Sequence, residues 1–542
     1  MTRQSKKIYL FLLLITAITA NSNDDIHQNE QLDKQIKIFN NFEKLQRDNE
    51  KRDSFAIDKP ALLPESEEPC FITHSIHDEG ITLLQEEKKQ SLYRQYVGKC
   101  NTLTDLTNLA RQLTGLYIDK GYVTSQVYIK PQNISDGEVT LYALEGRIKK
   151  ITPEESYIHH AFRGEEENFL NIRELENALE TINRLPSNRA TMNLLPSEQV
   201  GYTDISIENN PSNRLNGVIG INNFGIKKTG DKQGSLSLNY DNPLDINDQI
   251  SINLNSTDKH FQNENSTGDS YEYSVPYKNL LATIGYRQSS YRQLIHGGIN
   301  EYESNGHTKT YTFSLQYQLF HDQFNRISMG SSVSQYKTEN YLSDSLIETA
   351  SYDLSKAMLS MDYSYQNRGL YAYLALGYTK GTDWFNAYNP TDLNEKYSLY
   401  TVDFLLMQQL SELQYTFTGH YQHSSDQLFS VNQISIGGHY SVRGYQKEGL
   451  KGNTGFYARN ELSYESPLKW FDIVIPSYFI ALDYGKIHKE DDVVGGKLSG
   501  GALGVKLKKD SFNLMLYYAR PFLKRDVEEA QDFIGFSSSY RF

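Results

Sequence analysis

From residue 210 onward, apolar and polar side chains alternate one for one in short runs. Ser235-Leu236-Ser237-Leu238-Asn239-Tyr240, Ile250-Ser251-Ile252-Asn253-Leu254 and Tyr311-Thr312-Phe313-Ser314-Leu315-Gln316-Tyr317 are three of them, and Tyr397–Val402 and Leu413–Phe417 continue the series. Period 2 sends every second side chain to one face of a strand, so each run predicts a strand with two unlike faces. Short turns such as Asn242-Pro243-Leu244 and Gln366-Asn367-Arg368-Gly369 alternate with longer polar loops such as 258–269 and 381–395. Short turns at one end and long loops at the other are the pattern of a membrane barrel. Plausible strands from Arg214 to Phe542 number about sixteen, roughly 21 residues for each strand and its connection. That spacing fits spanning strands of about 9–11 residues. The run Ile534–Phe542, alternating and ending on an aromatic, suits a closing strand. A large soluble β-sandwich or propeller is the competing reading, and the lack of blade-length repeats weighs against it.

Ahead of residue 210 the apolar period lengthens to that of helices. Leu103, Leu106, Leu109, Leu113 and Leu116 stripe a helix that stops at Gly121, a natural C-cap. Val123–Ile129 and Glu138–Leu144 read as strands joined through Ser135-Asp136-Gly137, and Cys70-Phe71-Ile72 as an opening strand. These predict a first α+β module over 70–147. Ile148–Ile151, a helix striped by Ile172, Leu175, Leu179 and Ile182, and strands at Ala190–Leu194 and Asp204–Glu208 predict a second over 148–209. Leu32, Ile36, Phe39 and Phe42 mark an amphipathic helix over 23–50, and the acidic stretch 51–69 with Pro60 and Pro64 reads as a linker. A tethered helix of this kind can plug a pore, bind a partner or stay a disordered tail. Residues 1–22 have the form of a secretory signal peptide: Arg3, Lys6 and Lys7, then apolar Ile8–Ile15, then Ala20-Asn21-Ser22. The alternative is a membrane anchor, although the apolar run falls short of the roughly 20 residues a spanning helix needs.

Composition narrows this picture. Of 40 tyrosines, 32 lie after residue 200, which suits aromatic girdles around a wet-lumened barrel. The net charge of −13 and the lack of a basic cluster argue against nucleic acid as a partner. Cys70 and Cys100 are the only cysteines. In an exported chain such a pair reads as a disulfide worth roughly 3–4 kcal/mol in the chain-entropy model, with two buried free thiols as the alternative. There is no phosphate-binding Gly-x-x-x-x-Gly-Lys run. His74, His77, His159 and His160 lack a credible ligand set, so no metal and no cofactor is expected. Glu461 and Glu465 read as acids of a wet lumen rather than a glycosidase pair, and no clustered nucleophile and base suggests an enzyme.

Several short motifs then carry a resemblance. The first module contains Cys70-Phe71, Gly98-Lys99-Cys100, Gly121-Tyr122-Val123-Thr124-Ser125 and Leu144-Glu145-Gly146; the second contains Asn171–Glu176 and Asn183-Arg184-Leu185-Pro186; the barrel contains Asp241-Asn242-Pro243-Leu244, Val442-Arg443-Gly444-Tyr445 and Phe479–Gly485. With these the chain resembles the two-partner secretion transporters of the outer membrane, the FhaC/ShlB/HecB-type family of the Omp85 superfamily. The resemblance implies α+β POTRA domains in the periplasm of a Gram-negative bacterium, followed by a transmembrane antiparallel β-barrel of about 16 strands over 210–542. It implies that 23–50 is a plug helix and that the long loop 425–455 folds into the lumen. Val442, Arg443, Gly444 and Tyr445 would be the tip of that loop, with Asp483 and Gly485 on the facing wall. The implied partners are outer-membrane lipids and a secreted, β-helical exoprotein recognised unfolded through an N-terminal secretion domain. One departure is Pro196-Ser197-Glu198, where that family usually has glycine after the proline. An assembly factor that inserts other barrels is the alternative, and a passive porin a more remote one.

Overall fold

The computed structural model describes residues 59–64, 68–226, 229–258, 264–297, 300–322, 324–446, 449–470, 474–491, 493–527 and 530–542. The expected signal peptide, the helix expected over 23–50 and the first part of the linker lie outside the described residues. The modules and the barrel form two compact units.

A capping box opens the long helix of the first module. The Thr102 hydroxyl accepts from the Asp105 N–H at 3.1 Å, and the Asp105 carboxylate accepts from the Thr102 N–H at 2.8 Å, so Leu103–Asp119 begins with two of its free donors satisfied. Leu109, Leu113 and Tyr117 pack with Val127 and Leu141 of a three-stranded sheet. Its order is Ser75–Glu79, Glu138–Leu144, Gln126–Tyr128. The expected opening strand at Cys70 is instead a flap. Phe71 and Ile72 pair only with Asn101 and Cys100, and the Cys70–Cys100 disulfide holds the pair with Cα atoms 5.3 Å apart. The sheet's own first strand, Ser75–Glu79, is largely polar and showed no apolar alternation. The end of the linker is bound rather than free. Asn108 accepts from the Leu63 N–H at 2.7 Å and donates to the Leu63 carbonyl at 3.0 Å, and Lys59 lies 2.7 Å from Asp119.

Two motifs of this module, Gly121–Ser125 and Leu144-Glu145-Gly146, meet in one contact. The Gly146 N–H donates to the Ser125 hydroxyl at 3.1 Å, and a Cβ on Gly146 would stand 2.1 Å from the Thr124 hydroxyl oxygen. The Glu145 carboxylate accepts from the Thr82 and Leu83 N–H groups at 2.7 and 2.9 Å, and from the Thr82 and Tyr117 hydroxyls at 2.5 and 2.6 Å. Burial pushes this carboxyl's pKa up, but those donors outweigh it and hold the pKa below the ordinary 4.5. The Leu-Glu-Gly motif therefore ties the strand Glu138–Leu144 to the loop ahead of a short helix, Glu86–Tyr93.

In the second module the sheet order is Arg147–Thr152, Tyr202–Glu208, Thr191–Pro196, covered by Ile172–Asn183. A second helix, Ser156–Ala161, is too short to show a period. The departure at Pro196-Ser197-Glu198 is absorbed by Gly201, which takes φ +84° and closes the turn into Tyr202. The Ile172 N–H donates to the Gly121 carbonyl at 2.9 Å, so the helix end of one module meets the helix start of the next.

Sixteen strands close the barrel. The first, Leu215–Asn222, pairs with the second, Gln233–Asp241, and with the last, Phe533–Arg541. Tyr271, Tyr286 and Tyr311 form a row of neighbouring rings on the outer face, with centroids 6.2 and 5.2 Å apart, as a girdle requires. The fifth to seventh strands, Leu280–Gly297, Asn300–His321 and Asn325–Leu342, reach 18, 22 and 18 residues, twice the length a membrane demands. Their outer faces pass from Phe313 and Tyr311 to Lys309 and His307, where ion pairs such as Lys337–Asp353 at 3.1 Å replace lipid contact. Pairing continues because strand hydrogen bonds do not depend on the membrane's thickness. The loop expected over 258–269 shortens for the same reason: Gly268 and Asp269 already pair with Asn255 and Leu254.

Candidate functional site

The eleventh strand, Leu413–His423, and the twelfth, Gly455–Glu465, are joined by the long loop 424–454. Ile434–Ile436 and Leu450–Gly452 pair to make a narrow hairpin at its base. Gly437 and Gly438 adopt φ +127° and +84°, and the Ser441 hydroxyl accepts from the Gly437 N–H at 2.7 Å. These contacts reverse the chain and aim Val442-Arg443-Gly444-Tyr445 at the wall.

The wall is built by alternation. On the thirteenth strand, Ile475–Ile487, Ile480 and Leu482 are each 62% exposed on the outer face, whereas Asp483 is 2% exposed on the inner one. Arg443, itself 3% exposed, meets it squarely. Nε donates to Asp483 Oδ2 at 2.7 Å, Nη2 to Oδ1 at 2.9 Å, and the Arg443 backbone N–H to Oδ2 at 3.0 Å. Nη1 donates to Glu461 Oε2 of the twelfth strand at 2.8 Å, so one guanidinium bridges two strands of wall. Lys506, on the fourteenth strand, Gly496–Lys509, contacts the other oxygen of Glu461.

Small residues make room for this docking. A Cβ on Gly485 would lie 3.0 Å from the Val442 side chain, and one on Gly500 only 2.0 Å from the Arg443 carbonyl oxygen. Gly444 takes φ +96° with its Cα against the Arg520–Pro521 backbone. Val442 and Tyr445 join Ile434, Ile436, Tyr457, Ile487 and Leu498 in one buried cluster. The Tyr445 hydroxyl lies within hydrogen-bond distance of the Ser499 and Leu523 carbonyls, at 2.8 and 2.6 Å. On the other flank His439 stacks on Phe224 with ring centroids 3.8 Å apart and bonds the Tyr517 hydroxyl at 2.8 Å.

The predicted residues of the loop and wall thus come together: Val442, Arg443, Gly444 and Tyr445 against Asp483 and Gly485. Sequence reasoning placed the loop between strands eleven and twelve and Asp483 on strand thirteen, as found. It missed Gly500, Lys506 and the part Glu461 plays. The available signal for Glu461 was parity: Arg459, Glu461 and Ser463 share one face of a strand whose other face carries Leu462 and Tyr464.

Two α+β modules ahead of a sixteen-strand barrel, with a loop latched inside its lumen, define the class of transporters that pass polypeptides across the outer membrane. The family of haemolysin secretion/activation proteins ShlB/FhaC/HecB matches residues 201–507, a ShlB-type POTRA domain matches 71–146 and a second POTRA domain 143–196. The outer membrane transporter CdiB of Dickeya dadantii is 29% identical over 450 residues, covering 81% of this chain and 80% of its own. The hemolysin transporter protein ShlB of Serratia marcescens is 27% identical, covering 92% of each. The solved structure of CdiB from Escherichia coli superposes with a TM-score of 0.87 at 24% identity, over 96% of this chain and 99% of that one. The chain belongs to the ShlB/FhaC/HecB family. It is an outer-membrane transporter of two-partner secretion, with its POTRA domains in the periplasm.

Proposed function

We propose that this transporter captures an unfolded exoprotein on residues 70–209 and threads it through the barrel as an extended chain, the loop at Arg443 giving way as it passes. The observation that supports this most directly is the latch itself, a charged contact of four hydrogen bonds holding a 31-residue loop inside the lumen. A permanent plug would be held more cheaply by apolar packing, because desolvation offsets the attraction of a buried ion pair. The sheet of the second module ends on the edge strand Thr191–Pro196. An unfolded segment adds to such an edge by strand pairing. The cargo that fits is a β-helical exoprotein with an N-terminal secretion domain, whose folding outside the cell supplies direction.

The test mixes the full-length transporter with a secretion-domain fragment of a large β-helical exoprotein from the same organism. Binding that is lost when the Thr191–Pro196 edge is blocked by proline supports export. No binding, together with defective assembly of other barrels when the gene is deleted, supports an insertase instead.

A further inference from the structure

Arg443 is not the only cation facing the two wall carboxylates. Arg459 is the Cα partner of Asp483 on the neighbouring strand, so both side chains leave the inner face side by side. Its Nε is buried without a hydrogen-bond partner, and the 3.4 Å bond from its Nη1 goes to the Tyr440 carbonyl, which belongs to the loop. Lys506 already touches Glu461 and stands 5.0 Å from the Phe479 ring. With the loop docked, three cations (Arg443, Arg459, Lys506) face two carboxylates (Glu461, Asp483). With the loop withdrawn, the wall alone balances two against two.

We propose that Arg459 and Lys506 are stand-in partners that make the loop releasable. As Arg443 leaves, Arg459 loses its tie to Tyr440 and turns onto Asp483, while Lys506 keeps Glu461. Breaking a buried pair is costly mainly because it strands the partner charge. Here neither carboxylate is stranded in either state of the loop. Arg459 is a positioning residue in this scheme: it acts on the loop through Asp483. The proposal rests on the reading that the loop leaves the lumen during export.

The test follows loop release in the full-length transporter in native outer membranes. The rate at which an added protease cuts the 424–454 loop tracks the open population when reclosing is fast. Arg459→Met is expected to slow cutting by roughly tenfold, about 1.4 kcal/mol, and to lower secretion in step. Arg459→Lys, which restores the charge, is expected to cut like the parent. Assembly is read from heat-modifiable gel mobility. The proposal is overturned if Arg459→Met is cut at the parent rate, if Arg459→Lys fails as Met does, or if Arg459→Met does not assemble, since each makes Arg459 something other than a stand-in charge. A parent loop that is never cut during active secretion would overturn the export reading as well, which separates the two failures.

Discussion

Replacing Arg443 with alanine isolates the latch from the rest of the barrel. The substitution removes three side-chain hydrogen bonds, two to Asp483 and one to Glu461. It leaves the backbone N–H contact and the apolar seat of Val442 and Tyr445. Because both carboxylates keep a cation, the loss is that of charge-assisted hydrogen bonds rather than of a stranded charge, about 1.5–3 kcal/mol. It falls on the docked loop, so the undocked population relative to the docked one should rise by roughly 10- to 150-fold. The wall itself should stand, since Glu461 keeps Lys506 and Asp483 keeps Arg459 beside it. The expected outcome is therefore a barrel of normal heat-modifiable mobility whose 424–454 loop is cut rapidly by protease and whose secretion falls, because the loop no longer returns to one seat. An Arg443→Ala loop as protected as the parent would refute the reasoning, and so would normal secretion.

Two other perturbations test separate parts of the structure. Gly500→Ala should expose the loop to protease as Arg443→Ala does without touching a charge, because its Cβ would fall 2.0 Å from the Arg443 carbonyl; unchanged protection would show that the backbone approach is unimportant. Glu145 has a folded pKa below its ordinary 4.5, so its stabilisation of the first module is fully present above that value and is lost as pH falls through the lowered one. Urea unfolding of the module signal in the full chain should therefore show a lower midpoint in acid than at neutral pH, and Glu145→Gln should shrink that difference; an undiminished difference would assign it to other carboxylates.

What the sequence made legible follows from how strongly each element repeats. A two-residue period sustained over more than three hundred residues marked the barrel and its strand order well enough to number Asp483 correctly. Ser75–Glu79 escaped because it is largely polar, and Ser156–Ala161 because six residues span fewer than two helical turns. The over-long fifth to seventh strands escaped because their upper halves carry polar side chains on both faces, which reads as loop. At the site, the loop motif and Asp483 came from resemblance rather than from period. Glu461, Lys506 and Arg459 were hidden by the same property that makes the lumen wet: inward positions are polar throughout, so polarity alone cannot single out those that meet the loop.

The division of labour within the latch explains why so short a motif needs each of its residues. Burying a side chain such as Val442 contributes about 1.5–3 kcal/mol, so apolar contact alone could hold the loop near the wall. Apolar contact is nearly indifferent to register, however, and a hairpin slipped by one residue would still bury something. The guanidinium is not indifferent: its fork satisfies both oxygens of Asp483 and one of Glu461 only when Arg443 stands opposite both strands. Gly444 is required next because its neighbour's carbonyl must pass over Gly500 and its own backbone must turn at φ +96°. Tyr445 then closes the seat with its hydroxyl against two carbonyls beyond it. Packing keeps the loop in the lumen, and the charge selects one docked state that can be left without stranding an acid.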